Sequence, residues 1–456
     1  MKRIIQAAMM TMPLLLAPAA LQAGRGVMPY HSTLRIMTMG SHAFVKARLG
    51  GVMDRPAPEE NAEVALYRHN NPNPLVRRDA RLIVSEVLRN SSGQTIGTGD
   101  LNVVSLQQRV FAQYPASLQQ GEEGLFALEY RESDGLWRIV GEYRGVITAE
   151  ESPDGLTPIE DEARWIIGLY NQHEATYGNE PVALFASLQD HMMGLVTLDG
   201  SRLSVDVLYE FSSHHNNYDA HFTGAEKAQL LSLLPLTSAG GIERQRMLHT
   251  FGFVKPEGGQ QPIVDVIASD ASTSTAAVGS WTLEKYGRAS SLDMLLDKYA
   301  EKETEAGYWE GEEEYYEGTP PTVSCARLIQ AMRLISPQSF MPGEAAPRTL
   351  FLSILRRTLS PTSDPEILKE SLLAARNLRC SDGELDTELK ALVNDFHSGL
   401  VDESVYKRVI VAFAAARTNE ANAYITGLKG DFQKRFDKHI DMCLTLNPFT
   451  ILVDGQ

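Results

Sequence analysis

The sequence predicts a multidomain β-then-α protein, with a small N-terminal β-barrel followed by an α-solenoid. Three observations carry that expectation. Apolar and polar residues alternate with a period of two from about residue 24 to 150. The period lengthens to 3.6 from about residue 159 to the C-terminus at 456. Within that second region, helix-like segments recur at roughly 35–45 residues, a spacing typical of stacked helix pairs.

The chain begins MKRIIQAAMMTMPLLLAPAALQAG. Lys2 and Arg3 precede an apolar run interrupted by Pro13 and Pro18, and small residues follow up to Ala23. Residues 1–23 therefore read as a secretory signal peptide, because a spanning helix needs about 20 unbroken apolar residues. The expected location is the periplasm or the medium, with no transmembrane segment once the leader is removed. The formal charge is −16 and becomes −18 when Lys2 and Arg3 leave with the leader. Such a balance disfavours a nucleic-acid partner, whose phosphates need clustered cations, and none is expected.

Residues 24–150 are expected to form the barrel. STLRIM, AFVKARLGGVM, EVALYR, ARLIVSEVLR, LNVVSLQ and GLFALEY each alternate as half-buried strands do. Ser133-Asp134-Gly135 separates two such runs and supplies a hairpin turn, since Asp-Gly accepts the positive φ these turns require. Trp137 fits a core position. AFVKARLGGVM, ARLIVSEVLRN and LQQGEEGLFALEYRESDGLWRIVGEYRG, in that order, resemble the OB-like barrels related to netrin and TIMP domains. The resemblance covers about a quarter of the chain. TIMP-type inhibition uses an N-terminal cysteine, and this region has none, so that activity is not carried over. An inhibitor or adaptor role through the barrel is the weaker functional expectation.

Pro, Gly and Asp cluster in residues 151–158, the expected linker. Beyond it, DPEILKESLLAARNLR has Asp364 as N-cap and Pro365 at the first helical position. DGELDTELKALVNDFHSG places Leu385, Leu389, Leu392 and Phe396 on one stripe, ending at Gly399. EDEARWIIGLYNQHE, SRLSVDVLYEFSS, GIERQRMLHTFG, STAAVGSWTLEKYG, TVSCARLIQAMRLI and KESLLAARNLR each read as the first helix of a pair. The segment Ala276–Gly287 resembles a HEAT-like helix, with small residues for close packing and Trp281 and Leu283 toward the core. Residues 159–456 are thus expected to be a HEAT-like repeat domain. An acidic, aromatic insertion at about 301–321 should not form a repeat helix.

Three cysteines, Cys325, Cys380 and Cys443, permit one disulfide in an oxidising compartment or three buried thiols. The chemical candidate is SHHNNYDAH, Ser213–His221, which holds three of the chain's eleven histidines. His215, Asp219 and His221 are the residue types that hold zinc or iron with open positions, so they define a metal-dependent enzyme reading. They lie in a helix-joining loop, where Asn and Asp are also ordinary turn formers. Ser404-x-x-Lys407 lacks its companion motifs, and no G-x-S-x-G, H-E-x-x-H, P-loop or dinucleotide fingerprint occurs. The leading expectation is therefore an exported, non-enzymatic interaction or scaffolding protein of the bacterial cell envelope, with a protein partner and no cofactor.

Overall fold

The computed structural model describes residues 33–56, 75–108, 120–133, 135–140, 145–149, 155–198, 201–308, 319–335, 345–378, 383–451 and 453. Residues 1–32, which include the expected leader, the EVALYR segment, residues 151–154 of the expected linker and Cys380 lie outside them. The chain forms two compact units, Met1–Phe222 and Thr223–Gln456.

The first unit contains the barrel. Its strands are β1 (Ala43–Pro56), β2 (Leu75–Asn90), β3 (Gly99–Gln108), β4 (Glu123–Arg131) and β5 (Leu136–Ile139). They follow the order β1-β2-β3-β5-β4, and β4 closes the barrel by pairing with β1. A short β6 (Val146–Thr148) extends β4. Residues Ala43–Arg48 pair with β2 on one side and β4 on the other. Register shifts at Phe44/Val45, Lys46/Ala47 and Leu49/Gly51 bend β1 enough to serve both neighbours. Alternation fills the interior: Val45, Ala47 and Leu49 from β1 meet Leu82 and Val84 from β2, with Phe126, Leu128 and Trp137. The hairpin expected after residue 131 is present, with Arg131 opposite Leu136 and Gly135 at φ 67°.

One expected strand is a helix. STLRIM forms α1 (Leu34–Gly40), capped by the Thr33 hydroxyl, which accepts from the Ile36 N–H. Leu34, Arg35, Met37, Thr38 and Met39 are all buried, so this helix has no solvent stripe to betray its period. It leads directly into β1 and packs on α2 (Thr157–Gln172). The unit is completed by α3 (Val182–Met193) and α4 (Arg202–Ser213). The barrel is pinned to α2 by a charge chain: Lys46 to Glu160 at 2.8 Å, Glu160 to Arg164 at 2.8 Å and Arg164 to Glu86 at 2.5 Å.

The second unit is helical: α5 (Gly224–Leu233), α6 (Ile242–Val254), α7 (Gln260–Ser269), α8 (Thr273–Tyr286), α9 (Arg288–Tyr308), α10 (Pro321–Ile335), α11 (Ala345–Thr358), α12 (Pro365–Leu378), α13 (Asp386–His397), α14 (Glu403–Ala416), α15 (Asn419–Gly427) and α16 (Asp437–Thr445). The helices α6, α8, α10, α12 and α14 pack each against the next. Along the other side, α7 packs on α9 and α9 on α11. Side-chain hydroxyls tie helices together by donating to main-chain carbonyls of their neighbours. The Thr282 hydroxyl of α8 donates to Leu248 O of α6 at 2.7 Å, and the Ser324 hydroxyl of α10 donates to Ala268 O at the end of α7. Arg333 of α10 meets the buried Glu370 of α12 at 2.9 Å.

The acidic stretch departs from its expected form. Glu301–Tyr308 is the last part of α9, supported by Lys298–Glu301 and Lys302–Glu305 pairs of i,i+3 spacing. Residues 309–318 lie outside the described residues. Among the described residues no helix is long and apolar enough to cross a membrane.

Candidate functional site

The His/Asp loop follows α4. His214 closes the helix, and His215–Asn217 makes one tight 3-10 turn. His215 Nδ1 lies 3.1 Å from Asp219 Oδ2, and both side chains are partly exposed. The His221 N–H donates to Tyr218 O, which directs the chain back toward the Thr223–Glu226 capping box. His215 and Asp219 are therefore brought together, whereas no group of three His, Cys, Asp or Glu side chains placed to hold a metal exists among the described residues. The anchor of this loop is Tyr218, which is fully buried. Its ring meets Phe185 and Phe211 edge-on, and its hydroxyl donates to Glu210 at 3.1 Å.

Glu210 leads to the most developed polar assembly of the first unit. It is fully buried on α4, and Arg35 of α1 is 3% exposed. Arg35 Nε donates to Glu210 Oε1 at 2.7 Å, and a second guanidinium nitrogen lies 2.6 Å from the same oxygen. The remaining nitrogen donates to the Tyr170 hydroxyl at 3.0 Å and to Glu180 Oε1 at 3.1 Å. The Thr33 hydroxyl donates to Glu210 Oε2 at 2.5 Å, and the Leu34 N–H donates to Asp206 Oδ2 at 2.9 Å. Arg202 holds that Asp206 oxygen from the other side at 3.0 Å. Burial alone would raise Glu210, but Arg35, His214 and the Thr33 hydroxyl together outweigh it and hold the carboxyl below its ordinary value. Burial likewise opposes charge on Arg35, and Glu210 with Tyr218 and Tyr170 reverses the balance. The Tyr170 and Tyr218 phenols are pushed up by burial and stay protonated as donors.

Beside this assembly lies a small recess lined by Thr33, Leu34, Glu162, Met192, Leu203 and Glu210, with room for about one water molecule. At its edge His191 Nε2 sits 2.7 Å from Glu162 Oε2, and the His191 ring stacks on Trp165 at 3.6 Å. Burial raises the Glu162 carboxyl above its usual range, with His191 opposing it. A carboxyl–imidazole pair of this kind can pass a proton. The recess beside it is too small to admit a drug-sized substrate, which needs several hundred Å³. In chemical terms the assembly joins α1 to α2–α4.

Two aromatic clusters stand out in the second unit. Trp281 is half-buried, not in the core. It lies flat on His249 at 4.5 Å with Phe253 against its edge and Lys285 above it, whereas Leu283 is fully buried as expected. Phe432, Gln433 and Lys434 all hold positive φ, and Phe432 projects from a cluster of Phe396, Tyr406 and Phe436. Cys325 and Cys443 carry free, buried thiols, each pushed up to about 12 by burial. Residues 24–150 hold 14 basic and 14 acidic residues, so the acidic excess resides in 151–456.

Arg35 and Glu210 were not apparent as a pair in the sequence. Each is a lone charge inside an apolar run, LRIM and VLYEF, which is the one signal that marks a charge destined for burial with a partner. The chain matches no protein-family model. It also matches no curated protein.

Proposed function

We propose that the protein is an exported, non-enzymatic interaction or scaffolding protein of the bacterial cell envelope. In this reading an OB-like barrel leads a HEAT-like solenoid, and a protein partner lies along the helical part. The observation that carries the proposal is the successive packing of α6, α8, α10, α12 and α14, flanked by α7, α9 and α11. Helix pairs that stack only on their neighbours generate an extended surface on one row, which suits a long partner segment. The five-stranded closed barrel is in keeping with the OB-like reading. The acidic excess of residues 151–456 favours a neutral or basic partner.

The test is photo-crosslinking of the full mature chain in its native envelope. One probe set replaces the exposed Ala277 and Glu284 of α8; the other replaces the exposed Asp293 of α9 and Leu350 of α11. A single discrete protein adduct confined to one row supports the proposal. Adducts spread evenly over both rows, or none beside a robust turnover activity of the purified chain, would refute it.

A further inference from the structure

The guanidinium of Arg35 sits in a cage built entirely by other parts of the chain, within residues 170–210. Two aromatic rings flank it, with the guanidinium carbon 5.6 Å from the Tyr177 centroid and 5.7 Å from that of Phe185. Glu210 takes two of its nitrogens, and Glu180 and the Tyr170 hydroxyl take the third. Acceptors in the guanidinium plane combined with aromatic faces form the arrangement that distinguishes arginine from lysine. The neighbouring groups continue the pattern along the main chain: Glu210 receives the Thr33 hydroxyl and Asp206 receives the Leu34 N–H. α1 is a seven-residue helix, joined to the barrel through Ser41 and His42 and by Arg89 of β2, which donates to Thr38 O. Such a strap has the form of a ligand supplied in cis.

The geometry points to an arginine-recognition site on α2–α4, formed by Tyr170, Tyr177, Glu180, Phe185 and Glu210, which the protein fills with its own Arg35. The ligand class is the guanidinium of an arginine within a Thr-x-Arg segment. The site accepts a guanidinium from outside whenever Arg35 is withdrawn. It is independent of the solenoid reading, because it uses no residue beyond 210.

Chemical rescue tests it. The full mature chain carrying Arg35→Ala leaves the cage empty with the rest of the strap in place. Methylguanidinium titrated into this variant is expected to raise its melting temperature by about 3–6 °C at ten times its dissociation constant. The unsubstituted chain is expected to gain nothing, and methylammonium of equal charge is expected to do little for either. Should Arg35→Ala be unfolded, the same titration reads the return of its helical circular dichroism, again with methylguanidinium only. Equal effects of the two cations, or no effect of either on the variant, would overturn the inference.

Discussion

Glu210→Ala is the most informative single substitution. It removes the acceptor of the Arg35 Nε, of a second guanidinium nitrogen, of the Thr33 hydroxyl and of the Tyr218 hydroxyl together. Arg35, 3% exposed, keeps Glu180 and Tyr170 but loses its nearest counter-charge. Breaking a buried pair from one side costs about 3–5 kcal/mol, against total stabilities of about 5–15 kcal/mol for a domain. Urea unfolding of the full chain, followed by circular dichroism, should show the transition of the first unit moved by that amount. Replacing both partners, as in Arg35→Met with Glu210→Leu, should recover all but about 1–2 kcal/mol, since Glu180, which loses Arg35, keeps the Tyr170 hydroxyl and the Gly178 N–H. Acid titration supplies the sign. Glu210 is held below its ordinary value in the folded chain, so its contribution is complete above the unfolded carboxyl value of about 4.3. It is lost as pH falls through the folded value, and Glu210→Gln should flatten that acid limb. A loss below about 1 kcal/mol in Glu210→Ala, or a double variant no better than the single one, would refute the reasoning.

Three further outcomes follow from the packing. A Cβ at Gly252 would overlap the Trp281 ring, so Gly252→Ala should cost about 1–3 kcal/mol and alter the tryptophan near-ultraviolet dichroism. With burial holding both described thiols near 12, neither Cys325 nor Cys443 should react with a thiol reagent at pH 8 in the folded chain, and both should react in urea; reaction before unfolding would contradict their burial. A fragment ending at residue 222 keeps α1 against α2–α4 and should unfold cooperatively in urea, whereas one ending at residue 150 strands Arg35 and Met37 and should aggregate or lose that cooperativity.

Much of the architecture was legible because period is a local property. The alternation in AFVKARLGGVM and ARLIVSEVLR became β1 and β2, and the segments read as leading helices of pairs became α2, α4, α6, α8, α10 and α12. STLRIM failed because a short run in which Thr33, Leu34, Arg35 and Met37 are all buried fits a period of two as well as 3.6, and tertiary burial decides such cases. The acidic stretch misled through its Gly and aromatic content, although its first residues hold Glu and Lys at helix-stabilising spacing. The site was the least visible part. SHHNNYDAH draws attention by its histidines, yet the residue that fixes the loop is Tyr218, through an aromatic contact with Phe185 on another helix. Arg35 and Glu210 are 175 positions apart, and no window of sequence joins them.

That separation also sets an order of events during synthesis. The strap leaves the ribosome first, but its cage is complete only once residue 210 has emerged. At bacterial and eukaryotic elongation rates of about 5–20 residues per second, 175 residues take on the order of 9–35 s. For that interval a charged arginine and the side chains of Leu34, Met37 and Met39 remain without the partners that later bury them. The nascent chain thus carries a short apolar segment with one charge that cannot be buried in its cage before α4 has been made.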